Sequence, residues 1–391
     1  MKKHLGIVAI LAIASLAFAA CGDKGGDTSA SKTEVSISET PIEELIPEVG
    51  DKTEEEVQEP AQEAVEEPVP EGMYRSELTN EFISIDLQNQ RPIACMVDNE
   101  TKAYPHIGLN NADVVYELMN STANGRITRL MCLVKDWKNL EQFGSVRSTR
   151  PTNVLLAGEW NAILVHDGGP YYINQYLEKD WSNNLSGGFA RFTNGKNWEY
   201  TEYVTSDSYY NADQDKSYAG LVSRVEKAGY TETYNDYYQG PHFEFSNVEK
   251  DYSDRADGFA VKEIDLPYPH NNSKLIYNED TKTYDYYCYG DAHVDPLDDN
   301  KVMSFKNLIL YSVGYSVYDD HGYLIYNCIG AGQEGYYITN GYAIPIHWAK
   351  PGENDQTIYY DLTMGGQIQF NTGKTYITMV PDDVWGDVVY K

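Results

Sequence analysis

The stretch from residue 22 to residue 71 contains no aromatic residue and carries 16 acidic residues against three lysines. A segment this poor in apolar side chains cannot bury enough surface to offset the entropy that it would lose on ordering. We therefore predict a disordered acidic tether over 21–72, which confines the folded part to the rest of the chain. The 320 residues after position 71 exceed one comfortable hydrophobic core, so we expect two domains.

The residues before the tether have the pattern of a secretory signal that is removed in front of a cysteine. Lysines at positions 2 and 3 precede an apolar run over 5–18, and the sequence then reads Ala19-Ala20-Cys21. This run is shorter than the ~20 apolar residues that a membrane-spanning helix needs. We predict a signal peptide over 1–20 and acylation of Cys21, with a plain secretory signal as the alternative. The lipid membrane is then the partner that holds the protein on the extracytoplasmic face of the cell membrane.

The charge of the folded part limits its partners. The whole chain carries −30, of which the signal contributes +2 and the tether −13, so −19 remains on residues 72–391. A body this acidic repels nucleic acid and other dense polyanions as a bulk effect. We therefore predict no nucleic-acid partner, while single basic spots on the surface keep their importance.

Four cysteines follow Cys21, and their spacing gives neither a zinc site nor a disulfide framework. Cys95 and Cys132 lie inside apolar runs typical of buried strands, and Cys288 and Cys328 lie in the second half of the chain. Export permits disulfide bonds, but free cysteine is among the most buried residue types. We favour four buried thiols and leave disulfide bonds open as the alternative.

Strand and helix patterns alternate in the first half of the folded part, which is typical of α/β or α+β layer structures. We therefore predict an α/β (or α+β) domain over 73–250. The predicted strands are 92–97, 113–118, 126–134 and 162–165. The predicted helices are 152–160 and 171–179, and residues 207–228 contain a third helical stretch that ends at Gly229.

Helical patterns stop after about residue 258. Short apolar and aromatic runs follow, separated by turn sequences such as Asn340-Gly341. We predict a mainly antiparallel β domain over 251–391, and the 34 tyrosines fit it because aromatic residues are enriched in strands. The predicted strands are 260–264, 273–277, 284–289, 308–313, 323–328, 336–338, 343–348, 358–362, 367–370 and 376–380.

Several motifs are specific enough to compare with known families. The sharpest are the Arg147-Ser148-Thr149-Arg150-Pro151 and His166-Asp167-Gly168-Gly169 sequences. The others are Arg91-Pro92-Ile93, Val97-Asp98-Asn99, 112–117, 126–130, 332–335, Trp348-Ala349-Lys350 and 371–376. Together they resemble the YerB family of bacterial lipoproteins over roughly residues 85–382. The resemblance implies an exported lipoprotein with two domains and defines little chemistry.

Seven polar residues of the first half lie close to the ends of predicted elements. Each of them lies shortly after a predicted strand or shortly before a predicted helix. If these strands run parallel, such positions meet at one edge of the sheet, where ligands gather. These candidate ligand-binding residues are Arg147, Ser148, Arg150, His166, Asp167, Asp98 and Asn99.

Arg147 and Arg150 make this edge a candidate anion site. They precede a predicted helix N-terminus, which carries unpaired N–H groups and partial positive charge. Guanidinium groups add donors suited to a carboxylate or a phosphate. We predict that the site binds anionic cell-wall material or an envelope protein partner. The alternative is a structural role, in which both arginines pair with Glu117, Asp98 or other acids and brace the fold.

A hydrolase acting on wall material is the competing function. Glu117, Asp98 or His166 would serve as acid or base, and Ser148 as nucleophile. Ser148 does not lie in a nucleophile-elbow sequence, and a hydrogen bond to a neighbouring loop explains His166 equally well. We favour a non-catalytic protein and leave enzymatic activity open, with a purely structural envelope protein as a third alternative.

An acidic loop in the second half is a candidate metal site. Calcium takes several oxygen ligands, and carboxylates are close together here. The spacing differs from that of an EF-hand, and most acidic loops are merely solvated. We therefore predict no cofactor and keep calcium at this loop as the alternative. The candidate ligands are Asp291, His293, Asp295, Asp298 and Asp299.

Overall fold

The apolar runs separated by turn residues form strands, which outnumber helices in the described chain. The computed structural model describes residues 67–391 apart from Gln333. The predicted signal peptide, Cys21 and the tether as far as residue 66 lie outside these residues. Among the helices that are described, none has the length and apolar character needed to cross a membrane.

The described helices are short: α1 (Pro151–Glu159), α2 (Asn174–Leu177) and α3 (Leu221–Lys227). The strands of the first half are β1 (Met73–Arg75), β2 (Phe82–Ser84), β3 (Ile93–Asp98), β4 (Val114–Met119), β5 (Thr128–Val134), β6 (Phe143–Gly144), β7 (Ile163–His166), β8 (Asn183–Ser186), β9 (Ala190–Arg191), β10 (Glu202–Val204), β11 (Tyr209–Asn211), β12 (Lys216–Tyr218) and β13 (Glu244–Phe245).

The second half contains strands and no α-helix within the described residues. Its strands are β14 (Phe259–Ala260), β15 (Glu263–Asp265), β16 (Lys274–Asn278), β17 (Thr283–Cys288), β18 (Asp291–Ala292), β19 (Val294–Asp295), β20 (Lys301–Val302), β21 (Ser304–Phe305), β22 (Asn307–Val313), β23 (Tyr315–Val317), β24 (Leu324–Tyr326), β25 (Gly330–Gly332), β26 (Gly335–Thr339), β27 (Tyr342–Lys350), β28 (Ile358–Asp361), β29 (Gln369–Phe370), β30 (Thr375–Pro381) and β31 (Val389–Tyr390).

One twelve-stranded sheet joins the two halves of the chain. Its order is β14-β27-β26-β22-β30-β4-β5-β3-β7-β8, with β25 and β28 paired to β27. Strand β30, close to the C-terminus, lies between β22 and β4 and runs parallel to both. Because one strand from each half satisfies the backbone groups of β30, the sheet continues across the predicted domain boundary at residue 250.

A six-stranded sheet of the second half explains much of the tyrosine content. Its order is β18-β17-β16-β15-β31, with β21 paired to β17. Along β17, residues alternate between buried and half-buried, and Tyr284, Tyr286 and Cys288 are the buried ones. This period of two is typical of a strand with one face on the core. The second half is mainly antiparallel, as the sequence predicts.

The first half is richer in strands than the predicted α/β layer structure. The helical stretch predicted within 207–228 is limited to α3 at its end, and β11 and β12 form a hairpin before it. Asp215 takes a positive φ in the turn between these two strands, a conformation that a continuous helix does not contain. An α/β arrangement exists locally, where α1 precedes β7 and β7 pairs in parallel with β3.

The cysteines agree with the prediction of buried thiols. Cys95, Cys132, Cys288 and Cys328 are all buried and free. Cys95 and Cys132 lie opposite each other on the antiparallel strands β3 and β5. Burial raises the pKa of both thiols, so the neutral form is favoured there.

A buried ion pair also connects the halves. The Lys350 ammonium on β27 lies 2.8 Å from the Glu159 carboxylate at the end of α1, and both side chains are inaccessible to solvent. Tyr116 and Thr357 donate further hydrogen bonds to the same carboxylate. Burial is the largest single effect and raises the pKa of Glu159, but the charge of Lys350, the nearby His242 and the hydrogen bonds from Lys350 and Thr357 together hold this pKa below its ordinary value.

Replacing Lys350 with methionine leaves the Glu159 carboxylate buried without its cation. We expect Lys350→Met to lower the free energy of unfolding by about 3–5 kcal/mol, measured by urea denaturation of the full-length protein. The double variant Glu159→Gln/Lys350→Met should recover most of this loss, since no ion is left to desolvate. Lys227→Met on the exposed face of α3 is the control. Equal effects of Lys350→Met and Lys227→Met would contradict the ion-pair assignment.

Candidate functional site

The carboxyl ends of β3 and β7 meet at one edge of the large sheet, because the two strands run parallel. The loop before α1 crosses this edge. The Asp98 N–H donates to the Ser145 carbonyl at 3.1 Å, and the Asp167 N–H donates to the Arg147 carbonyl at 3.0 Å. The three sequence groups around Asp98, Arg147 and His166 therefore lie together.

Arg147 is neutralised by acids of the fold. Its Nε lies 2.6 Å from Asp98 Oδ2, and its Nη2 lies 2.7 Å from Glu199 Oε2. Asp98 is itself fixed, since its Oδ1 accepts a hydrogen bond from the Glu100 N–H. Arg147 therefore has the structural role that the sequence offered as an alternative, in which an arginine pairs with acids and braces the fold. Its positive charge is not available to a ligand at this edge of the sheet.

No carboxylate of the described chain contacts Arg150, and Asp319 acts on its charge only from beyond contact distance. Arg150 is 4% exposed, and its Nη1 donates to the Thr149 carbonyl at 2.8 Å and to Ser148 Oγ at 3.4 Å. Its guanidinium carbon lies 3.8 Å from the ring centroid of Tyr323, and its buried Nε has no hydrogen-bond partner. In the part of the chain that the structure describes, no carboxylate lies within 4 Å of this guanidinium.

Arg129 is a second cation that the sequence reasoning missed. Its Nη1 donates to the Ser148 carbonyl at 2.6 Å and to Ser148 Oγ at 2.9 Å, and no described carboxylate pairs with it. Burial, followed by the nearby charge of Arg150, lowers the pKa of Arg129 to about 9. Arg129 could have been found only from the register of the strands, which places Arg129 on β5 opposite Asp98 on β3. We call Arg129 and Arg150 the arginine pair.

The surroundings of the arginine pair favour an anion. Arg150 is the N-cap residue of α1, and no side chain caps the first turn of this helix. The start of a helix carries partial positive charge. A cavity of about 10 Å³, room for one water-sized group, lies between the guanidiniums and Asn120. One oxygen of a ligand therefore fits beside the pair.

Ser148 and His166 do not form a catalytic pair. Ser148 Oγ accepts hydrogen bonds from both arginines. His166 Nδ1 donates to the Gly168 carbonyl at 2.9 Å, because a carbonyl only accepts, and Nε2 lies 3.3 Å from the side-chain amide of Asn184. Burial lowers the pKa of His166, which keeps the imidazole neutral. The histidine is held by its neighbouring loop, and the geometry gives no support to a serine hydrolase.

Two other ligand-binding candidates have different surroundings. Asp167 lies at the same edge, where its Oδ2 is 3.4 Å from Arg191 Nη2. Asn99 instead turns into the interior, where it is fully buried. Its Oδ1 accepts a hydrogen bond from the Tyr104 hydroxyl at 2.7 Å, and its amide donates to Thr128 Oγ1 at 2.9 Å. Asn99 therefore serves the core and does not face a ligand at this edge.

Glu117, the candidate acid or base, is the central acceptor of a buried network. It is 0% exposed, and burial raises its pKa while the donors around it oppose that shift. The donors come from both halves of the chain, and a group enclosed in this way has no path to a substrate. They are Thr128 Oγ1 (2.7 Å), Ser273 Oγ (2.6 Å), Tyr286 Oη (2.9 Å), Tyr376 Oη (2.6 Å) and Asn99 Nδ2 (3.3 Å).

The acidic loop of the second half uses its side chains within the chain. Asp295 accepts from the backbone N–H groups of Gly108 and Asn110, each at 2.9 Å. Asp298 pairs with Lys301 at 2.6 Å. Across the described residues, no three His, Cys, Asp or Glu side chains converge into a group that could hold a metal ion. The candidate ligands Asp291, His293, Asp295, Asp298 and Asp299 therefore do not assemble into a calcium site.

His293 forms a buried chain of hydrogen bonds instead. Its Nε2 lies 2.8 Å from His106 Nδ1, and His106 Nε2 lies 2.6 Å from the Asp98 carbonyl. Because a carbonyl only accepts, His106 donates from Nε2 and accepts at Nδ1, so His293 donates from its own Nε2. Both rings are neutral in this arrangement, and burial lowers the pKa of His293 to about 4.

Replacing Glu117 tests whether its role is structural. We expect Glu117→Gln to lower the free energy of unfolding by about 1–3 kcal/mol, because an amide N–H₂ then faces hydroxyl donors that have lost their acceptor. Thermal and urea denaturation measure this loss, and Glu226→Gln on the exposed face of α3 is the matched control. Unchanged stability of Glu117→Gln would show that the network does not hold the fold.

Acid should destabilise the protein through His293. A base whose pKa falls from 6.5 in the unfolded chain to about 4 in the fold contributes stability above pH 6.5, and this contribution is lost as the pH falls through 4. The variant His293→Gln can still donate a hydrogen bond to His106. As the pH falls from 6.5 to 4, we expect its free energy of unfolding to decrease by about 2–3 kcal/mol less than that of the wild type. Melting temperatures between pH 7 and pH 4 measure the difference, and the exposed His321→Gln should behave as wild type.

Comparison with known proteins identifies the family. The models for the N-terminal and C-terminal domains of a protein of unknown function (DUF3048) match residues 78–219 and 264–377. "Putative lipoprotein YerB" of Bacillus subtilis (strain 168) is 27% identical over 303 residues, which are 75% of this chain and 82% of the relative. The crystal structure of YerB protein from Bacillus subtilis covers 81% of this chain and 99% of its own, with a TM-score of 0.62 at 21% identity. The two halves and the fold thus agree with the resemblance seen in the motifs, and the chain belongs to the YerB family.

Proposed function

We propose that this protein is a lipoprotein anchored to the extracytoplasmic face of the cell membrane, where its folded part binds an anionic group of cell-wall material. The signal pattern ending at Cys21 and the name of the Bacillus relative support the anchor. A chain of 50 flexible residues, which the sequence predicts for the tether, would reach about 35–42 Å on average. Its extended limit is near ~170 Å. Such a tether lets a folded domain reach wall polymers beyond the lipid headgroups.

The uncompensated arginine pair is the observation that carries this proposal. Arg147 uses the nearby acids Asp98 and Glu199, which leaves Arg129 and Arg150 without a carboxylate in the described part of the chain. Burying a charge without a partner is costly, and a bound anion would relieve that cost.

Binding suits the geometry better than hydrolysis does. A hydrolase needs a base within hydrogen-bond reach of a nucleophile or a water in an open cleft. Here the Ser148 hydroxyl accepts hydrogen bonds from the arginines, and His166 is hydrogen-bonded to the Gly168 carbonyl of its neighbouring loop. Glu117 is fully buried. An anion site needs only donors that face a small opening, and the arginine pair with the uncapped start of α1 provides them.

Replacing the guanidinium of Arg150 with an ammonium group tests the proposal. The full-length lipoprotein in detergent is sedimented with purified cell-wall fractions, and the bound share gives an apparent Kd. We expect Arg150→Lys to weaken binding by about tenfold, because a lysine keeps the charge but loses the paired N–H donors. Binding by the wild type should also weaken as salt rises from 50 to 500 mM.

Two controls separate binding from folding. Arg75→Lys changes an arginine on β1, outside the arginine pair, and should leave binding within twofold of the wild type. A melting temperature near that of the wild type shows that Arg150→Lys is folded. A folded Arg150→Lys variant with wild-type retention on the wall fraction would refute an anion site at this position.

A further inference from the structure

Exposed tyrosine rings lie beside the arginine pair. Tyr171 is 84% exposed and contacts Tyr172 edge to face, with ring centroids 5.5 Å apart. Tyr172 stacks on Tyr318, which is 43% exposed, with centroids 4.6 Å apart and 15° between the ring planes. We call Tyr171, Tyr172 and Tyr318 the tyrosine platform. Burying large rings in the core is favourable, so rings assembled at the surface suggest contact with another molecule.

One hairpin links the tyrosine platform to Arg150, which is itself buried beneath the surface. The hairpin of β23 and β24 connects them, because it carries Tyr318 and also Tyr323, whose ring lies under the Arg150 guanidinium. Within this hairpin, the Tyr318 N–H donates to the Tyr323 carbonyl at 2.7 Å. The Tyr172 hydroxyl donates to Asp319 Oδ2 at 3.1 Å, which fixes the ring against the hairpin.

We propose that this surface binds a glycan that carries isolated carboxylates, with one sugar ring on the tyrosine platform and a carboxylate oxygen beside Arg150. The inference rests on the proposed anion site and names its ligand. The face of a tyrosine ring is negative, so it attracts the C–H groups of a sugar face. Tyrosine hydroxyls and the carboxylate of Asp319 offer hydrogen-bond partners to sugar hydroxyls.

The charge of the folded part favours a glycan with isolated carboxylates over a phosphate polymer. The folded part is strongly acidic, so a polymer with a phosphate on every unit is repelled along its length. A glycan with widely spaced carboxylates brings one charge to the arginines and a neutral ring to the tyrosines.

The test compares ligand chemistry and surface variants in one assay. The full-length lipoprotein in detergent is sedimented with three probes: peptidoglycan stripped of teichoic acid, the same material with its carboxylates amidated, and teichoic acid. A soluble carboxylate peptide without sugar serves as competitor. We expect binding to the stripped peptidoglycan, a loss on amidation, little binding to teichoic acid and weak competition by the peptide.

The double variant Tyr171→Ala/Tyr318→Ala changes exposed rings and should fold as the wild type. We expect it to weaken binding to stripped peptidoglycan by about tenfold. The control Tyr210→Ala removes another exposed tyrosine, on β11, and should change binding less than twofold.

The outcomes distinguish the two proposals. Loss of binding in Arg150→Lys but not in Tyr171→Ala/Tyr318→Ala overturns the glycan platform and leaves the anion site standing. Loss in the tyrosine variant alone overturns the anion site. Binding to teichoic acid as tight as binding to stripped peptidoglycan, or full competition by the sugar-free peptide, also refutes a carboxylated glycan as ligand.

Discussion

The buried carboxylate of Glu117 is the contact on which the arrangement of the two halves depends. It lies on β4, next to β30, and takes hydrogen bonds from Thr128 in the first half and from Ser273 and Tyr376 in the second. A buried acceptor with fewer donors would be unfavourable, so the carboxylate and its hydroxyls require one another. The position of β30 between β22 and β4 supplies one of these donors, and the sheet and the network therefore form together.

This interior fixes the edge at which the arginines lie. Asp98 at the end of β3 holds Arg147, and its own carbonyl receives the hydrogen bond from His106, behind which lies His293. Such fixed partners leave little freedom to the loop that carries Arg150. A cationic group held in place without a carboxylate in contact loses less entropy on binding an anion than a flexible surface arginine would.

Local structure in this chain could be predicted from the sequence, while long-range pairing could not. The predicted strands at 92–97, 113–118 and 162–165 lie within one residue of β3, β4 and β7, and Pro151 opens α1 as expected. These elements follow from apolar runs and from the tolerance of proline in a first turn. The place of β30 in the sheet depends on a partner more than 250 residues away, which no local pattern encodes.

The residues of the candidate site also fall into two groups, those that a local sequence pattern predicts and those that depend on long-range pairing. Arg150 lies at a helix start that the sequence marks, so its position could be anticipated. Arg129 enters the site through the register of β5 against β3, and Tyr323 reaches it on a hairpin from the other half. The neutralisation of Arg147 needs Glu199, which the sequence places 52 residues away from it. Pattern reasoning therefore finds the edge but assigns the free charge to one wrong arginine.

The repulsion of an anion by the net negative charge and its attraction to the arginines act over different distances. For this reason an acidic protein can bind an anion at such an edge. At physiological ionic strength, charges on the surface are screened beyond about 8 Å, so the net negative charge acts mainly as a weak barrier to approach. At contact, the Arg150 guanidinium lies where burial excludes water, and its attraction for an anion is screened much less. Under the proposed function, the bulk charge would select ligands of low charge density, and the arginine pair would hold the single charge of such a ligand.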